Sequence, residues 1–323
     1  MNLTPRTLLQ GYSSVTPSAK RTPYVTQRGR RLLLTAVIAV AALVVSPAGS
    51  VSSVSGAAQP PSTEDACGPR LAKPGGGSWR CSFVDDFDGT ELDTEKWITQ
   101  DTARTGFRSG LTCYQGDSNV KVRRGKLRLQ ARDAGTWLNC SNRYEAFVTR
   151  YTGGLVTTRD HFSQTYGLFE IRAKYPTVRT PGVHATFWMY PPDLTYGPWP
   201  ASGEIDVAEW WSNDPSLVLP TLHYNGRSFH ADSGWNCRVA TVSKFHTYAV
   251  EWYPTGMRFF IDGSMCFARK WAPAAPQVAP QPFDHPFGMI LSMGVGTATG
   301  SNVVSPETPL PANFTIDYAK AWR

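Results

Sequence analysis

From residue 81 onward the chain is a succession of short alternating apolar runs broken by Gly, Pro, Asn or Asp, with no long stretch repeating at 3.6 residues. A period of two puts successive side chains on opposite faces of an extended strand, so such a chain buries its apolar side by stacking sheets or closing a barrel. Leu127-Arg-Leu-Gln-Ala, Leu168-Phe-Glu-Ile-Arg-Ala-Lys-Tyr and Tyr248-Ala-Val-Glu-Trp-Tyr all alternate. Phe259-Phe-Ile-Asp-Gly-Ser-Met-Cys-Phe reads as two strands around an Asp-Gly turn, and Phe314-Thr-Ile-Asp-Tyr-Ala-Lys-Ala-Trp as a further strand. Strands at spacings of roughly 8–12 residues predict an all-β sandwich or barrel. A chain of 323 residues needs only one such core.

The first segment reads differently. Arg28, Arg30 and Arg31 lead into the apolar run Leu32 to Val45, and small residues follow through Ser55-Gly56-Ala57-Ala58. Basic, apolar and small-residue regions in that order predict an export signal over 1–58, cleaved near Ala57 or Ala58. An uncharged run of about 14 residues is short of the roughly 20 that span a bilayer, so no lasting membrane association is expected after cleavage. The Arg30-Arg31-Leu join leaves the general and twin-arginine routes both open. Residues 59–80, rich in Pro, Gly and Ser, read as a linker or extended lead-in, with the folded body over 81–323.

The formal charge of +7 suggests a nucleic-acid partner until it is divided. Arg6, Lys20, Arg21, Arg28, Arg30 and Arg31 precede Ala58 with no acid among them, which leaves the remainder near +1. With no Lys/Arg run in that remainder, no nucleic acid is expected as a partner. All six cysteines, Cys67, Cys81, Cys113, Cys140, Cys237 and Cys266, follow the signal. An even count in an exported chain favours disulfides over metal ligation, and nearest-neighbour pairing closes hairpin-sized or loop-sized segments.

The stretch that carries chemistry is Trp199-Pro-Ala-Ser-Gly-Glu204-Ile-Asp206-Val-Ala-Glu209-Trp210-Trp211. In an extended strand Glu204 and Asp206 share a face while Glu209 points to the other. One residue absorbed in a bulge around Val207-Ala208 brings Glu209 back to the face of the other two. Three carboxylates on one concave face repel one another and raise at least one pKa, which keeps a carboxylic acid protonated near neutral pH. Retaining glycoside cleavage needs that pairing, one carboxylate to attack the anomeric carbon and one acid to protonate the leaving oxygen. The competing reading is a solvated acidic strand or a calcium site, which flanking tryptophans and an apolar alternate face fit poorly. Among eleven tryptophans most are expected in the core, with Trp188, Trp199, Trp210 and Trp211 as candidate platforms for sugar rings. His223 is a candidate sugar contact or a structural histidine.

The Glu-Ile-Asp-Val-Ala-Glu run resembles the bulge-containing signature of glycoside hydrolase family 16. The resemblance extends over Phe83-Val-Asp-Asp-Phe-Asp-Gly, Asn119-Val-Lys-Val, Gly125-Lys-Leu-Arg-Leu, Tyr166-Gly-Leu-Phe-Glu-Ile, Phe187-Trp-Met-Tyr-Pro, Leu222-His223 and Ile316-Asp-Tyr-Ala-Lys-Ala-Trp. It implies a jelly-roll β-sandwich of two antiparallel sheets with an open cleft on the concave face; a monomer is expected. It implies endo-acting, retaining cleavage of internal β-linkages in a polysaccharide, with Glu204 as nucleophile, Asp206 assisting and Glu209 as acid/base. Asn119 joins the aromatics and His223 as a substrate contact. No cofactor serves the reaction; one structural calcium, held by Asp317 and the carbonyls of Asp86 and Gly125, is implied. The chain departs from the glucanase pattern at Gly182-Val-His184-Ala-Thr-Phe and at Ser292-Met-Gly-Val-Gly-Thr, both near the cleft. β-1,3- or mixed-linkage glucan is the expected substrate, with galactan cleavage, transglycosylation and non-catalytic glycan binding as alternatives.

Overall fold

The computed structural model describes residues 64–323. The expected signal over 1–58 lies outside the described residues. Strands β1 (Glu64–Asp65), β2 (Gly68–Pro69), β3 (Cys81–Asp85), β4 (Ile98–Thr99), β5 (Thr112–Tyr114), β6 (Val120–Val122) and β7 (Leu127–Asn139) come first. They are followed by β8 (Val148–Thr157), β9 (Gly167–Lys174), β10 (Val183–Tyr190), β11 (Glu204–Trp211) and β12 (Val218–His223). The remainder supplies β13 (His246–Tyr253), β14 (Gly256–Ile261), β15 (Ser264–Arg269), β16 (Gly288–Val295) and β17 (Ala312–Trp322). Among the described residues helix is confined to two single turns, Thr102–Thr105 and Gly116–Asn119.

Two curved layers face each other, as the alternation requires. The cleft layer runs β12-β11-β10-β16-β8 and the outer layer β7-β17-β9-β13-β14-β15. The two are joined along one edge, where the far ends of β7 and β8 pair from Arg132 opposite Thr152 to Asn139 opposite Val148. One pairing, β5 with β8, is parallel. Between the layers lies a single apolar core in which Phe187, Ile205, Ala208 and Trp210 meet Phe169, Ile171, Val250 and Phe314. Tyr175 bridges the layers: its ring stacks on Trp210 at 5.4 Å and on Phe314 at 4.8 Å, and its hydroxyl donates to the Ala208 carbonyl at 2.8 Å. The expected Asp-Gly turn joins β14 to β15, with Asp262 at φ 48° and Gly263 at φ 74°, the left-handed pair that a two-residue hairpin requires.

The lead-in, where described, is part of the body. β1 pairs with β2, the Arg80 amide donates to the Arg323 carbonyl, and Trp79 is buried among Leu168, Ala249 and Trp322. The folded body thus begins ahead of Cys81, because an indole and a disulfide anchor a segment whose Pro and Gly content reads as linker. The disulfides are Cys67–Cys81, Cys113–Cys140 and Cys237–Cys266, the nearest-neighbour pairs. Cys113–Cys140 ties β5 to the end of β7 across 27 residues. Closing such a loop in the unfolded chain is worth about 3–4 kcal/mol by the chain-entropy model. Replacing both residues with alanine is expected to lower the melting temperature by several degrees; an unchanged melting curve would remove the cross-link from the stability of the fold.

Candidate active site

Gly203 stands at φ 82°, and a Cβ there would lie 2.9 Å from the Phe283 ring, so the chain enters β11 through a position suited only to glycine. Across β12, Asp206 pairs with Thr221 and Glu209 with Leu219, three steps on one strand against two on the other. Across β10, Trp188 pairs with Asp206 and Phe187 with Ala208, so Val207 is the extra residue. The slip puts Glu204, Asp206, Glu209 and Trp211 on the cleft face while Ile205, Ala208 and Trp210 face the core.

Each carboxylate has its own partner. Trp199 Nε1 donates to Glu204 Oε2 at 2.5 Å, from a loop pinned by Gln277 Nε2 donating to the Ala201 carbonyl. His223 Nε2 lies 2.9 Å from Asp206 Oδ2, and Arg227 places a guanidinium nitrogen 3.1 Å from His223 Nδ1. A guanidinium only donates, so in the neutral ring Nδ1 accepts and the Nε2 hydrogen goes to Asp206. His184 Nε2 lies 3.1 Å from Glu209 Oε1, and its ring stacks on Trp211 at 3.7 Å.

The electrostatics follow these contacts. Burial, reinforced by the neighbouring Asp206 charge, pushes Glu204 up to about 8. Burial and the Glu209 charge raise Asp206, against the hydrogen bond from His223. Burial acts on Glu209 in the same direction, but the hydrogen bond and positive charge of His184 outweigh it and hold Glu209 below the ordinary range. A proton therefore rests on the Glu204–Asp206 pair near neutral pH, and its titration belongs to the pair.

The aromatic candidates separate. Trp199 and Trp211 stand at the carboxylates. Trp188 shares the cleft face but is 4% exposed beneath the stacked ring of Phe107, so it is floor and not platform. Trp210 is 0% exposed in the core with Nε1 donating to the Pro215 carbonyl: the bulge that turns Glu209 into the cleft turns its neighbour out of it. Asn119 is 1% exposed, and its amide donates to the Gln130 carbonyl and to Thr152 Oγ1, which makes it a bracket between strands and not a substrate contact. Two buried polar atoms on the cleft side of β10, Thr186 Oγ1 and Trp188 Nε1, have no protein partner. Beyond Glu209 a cavity of about 420 Å³ is walled by Trp211, Phe229 and Trp235 and reached by Arg227. His184, Arg227, Phe229 and Trp235 escape a reading of the sequence for sites; only the departure at His184 from the family pattern signals one of them.

The residues implied for calcium do not fit a dication. Both carboxylate oxygens of Asp317 are taken by cationic side chains, Oδ1 by Lys126 and Oδ2 by Arg172. The same Lys126 ammonium donates to the Gly125 carbonyl at 3.3 Å, and the Asp86 carboxylate faces Lys320 at 3.3 Å. A tethered ammonium stands among the expected ligands.

Residues 107–320 match the model for glycosyl hydrolases family 16. The beta-glucanase of Rhodothermus marinus is 35% identical over 258 residues, covering 76% of this chain and 85% of that protein. The glucan endo-1,3-beta-glucosidase A1 of Niallia circulans is 32% identical over 260 residues, 75% of this chain but only 37% of that longer protein. The X-ray structure of the laminarinase from Rhodothermus marinus superposes with a TM-score of 0.63 at 33% identity, over 76% of this chain and 97% of that one. The chain belongs to glycoside hydrolase family 16.

Because Glu204 holds its proton up to about 8 in the fold against an ordinary 4.5, the folded state binds more protons than the unfolded chain between those values. Its contribution to stability is present below the ordinary value and is lost as pH rises through the folded one. Glu204→Gln is therefore expected to melt near wild type at pH 5 and above it at pH 9, by about 2–4 °C for each kcal/mol recovered. A difference in melting temperature that stays flat across this range would overturn the assignment of a buried, proton-holding Glu204.

Proposed function

We propose that the protein is a secreted, endo-acting, retaining glycoside hydrolase that cuts internal β-linkages of β-1,3- or mixed-linkage β-1,3(4)-glucan. The observation that carries the reading is the bulge at Val207, which sets three carboxylates with different partners on one open face. The named activities of the Rhodothermus marinus and Niallia circulans relatives support a β-glucan substrate. Three disulfides support export.

In this mechanism Glu204 attacks the anomeric carbon as the glycosidic bond to the leaving oxygen breaks. Attack needs Glu204 ionised, so its resting proton passes to Asp206 on the same face, and the indole hydrogen of Trp199 holds the carboxylate that remains. Glu209, with His184 Nε2 at its Oε1, protonates the leaving oxygen as that bond breaks; because it is held below the ordinary range at rest, it must first take up a proton. With the glycosyl–Glu204 ester formed, Glu209 takes a proton from water as its oxygen attacks the same carbon from the opposite side, which restores the original configuration. Nucleophile and acid act from opposite sides of the anomeric carbon, so the leaving sugar departs on the Glu209 side, into the cavity walled by Trp211, Phe229 and Trp235.

The two glutamates are told apart by azide. With an activated β-glycoside, Glu204→Ala should lose turnover by at least about three orders of magnitude and, with azide in the vacancy, give the α-glycosyl azide. Glu209→Ala should still form the glycosyl-enzyme from a substrate with a good leaving group, and azide then yields the β-product. The same anomer from both variants, or full activity in Glu204→Ala, overturns the roles. Reducing-sugar release from laminarin or mixed-linkage glucan, with none from agarose or carrageenan, is the expected substrate pattern.

A further inference from the structure

On the outer layer, away from the carboxylates, a groove of about 860 Å³ is lined by Arg124, Lys126, Arg128, Lys174 and Arg179 and by no carboxylate. Its floor is built by register. Thr315 of β17 pairs with Arg128 of β7 on one side and Lys174 of β9 on the other, so the Cα atoms of the two basic residues stand about 10 Å apart across three strands, on one sheet face. At one end the Phe245 ring carries three cations, Arg172 at 4.8 Å, Lys174 at 5.1 Å and Lys126 at 5.6 Å from its centroid. Lys126 and Arg172 neutralise Asp317, the acid at that end. Arg124, Arg128, Lys174 and Arg179 form no ion pair with any described residue, in a body whose charge beyond Ala58 is close to balanced. Like charges gathered without counter-charges repel, and a bound polyanion relieves that repulsion.

We propose that this groove docks a linear acidic polysaccharide, one bearing carboxylate groups along its chain. The cations are spread over more than one oxyanion could engage, which favours an extended ligand. The groove offers a single phenyl ring already covered by cations, and not the succession of aromatic platforms on which nucleic-acid bases stack. Where the family resemblance implies a calcium ion, Lys126 supplies a fixed positive charge instead, and with Asp317 neutralised the surface is left to attract anions. Because the groove lies on the outer layer, an acidic chain held there leaves the cleft free.

The test is affinity electrophoresis of the intact mature protein in gels containing polygalacturonate, with neutral dextran and duplex DNA as comparison polymers. Polygalacturonate should retard the wild type, and the affinity should fall about tenfold or more between 50 and 200 mM salt. The double variant Arg128→Glu/Lys174→Glu should lose most of that retardation while its melting temperature stays within a few degrees of wild type, since both side chains lie on the surface. Single Arg128→Gln and Lys174→Gln variants should each lose part of it, and these keep the proposal testable should the double reversal fail to fold. Chelation with EDTA should change neither binding nor melting. The proposal is overturned by no retardation of the wild type at 50 mM salt, by equal retardation of the variants, or by duplex DNA binding as tightly as polygalacturonate. A loss of melting temperature on chelation would equally overturn it, since a dication would then occupy the position that the Lys126 ammonium fills.

Discussion

One extra residue in one strand decides what this sandwich can do. Without the slip at Val207, Glu209 would point into the apolar core, where an ionised carboxylate costs far more than the fold could tolerate, and Trp210 would stand in the cleft. With it, the strand keeps Ile205, Ala208 and Trp210 packed against Tyr175 and the outer layer while three acids share the opposite face. The same step therefore completes the core and assembles the site, and the two cannot be altered separately.

Gathering three acids on one face is unfavourable, and the surrounding residues divide that cost unequally. Trp199 gives Glu204 one hydrogen bond yet leaves it buried beside Asp206, so it keeps a proton. His184 gives Glu209 a partner that can itself carry charge. His223 stands between Asp206 and Arg227 and ties the acid pair to a cation four residues further along the chain. Burial lowers the His223 imidazole, but the hydrogen bond to Asp206 and the Glu204 and Asp206 charges outweigh it and raise it, so the protonation of the acid pair and of this ring are linked.

Much of this was legible in the sequence because it rests on local periodicity. The strands of Leu127–Ala131, Leu168–Tyr175 and Tyr248–Tyr253 follow from alternation alone, and the bulge follows from the odd spacing of Glu204 and Glu209. The reading of Trp210 as a sugar platform fails by that same parity, since a residue next to a cleft-facing Glu209 must face the core. Asn119 was beyond reach for another reason: its amide is spent on Gln130 and Thr152, and nothing near it in the chain predicts either partner. The lead-in over 64–80 looks like linker in composition because its anchors are one indole and one disulfide, too few to change a count of Pro and Gly.

The outer groove marks the limit of reading charge along a chain. The cations come from two separate stretches: Lys121-Val-Arg-Arg-Gly-Lys-Leu-Arg128 carries five cations and no acid, though never more than two in succession, whereas Lys174 and Arg179 stand among polar and apolar neighbours. The two stretches meet because β17 inserts between β7 and β9. Net charge is blind to this, since acids elsewhere cancel the sum without cancelling the local field, which at physiological ionic strength extends only about 8 Å. The balanced total that argues against a polyanionic partner in the sequence thus describes the molecule from far away, whereas a chain lying in the groove meets four cations with no acid in reach to answer them.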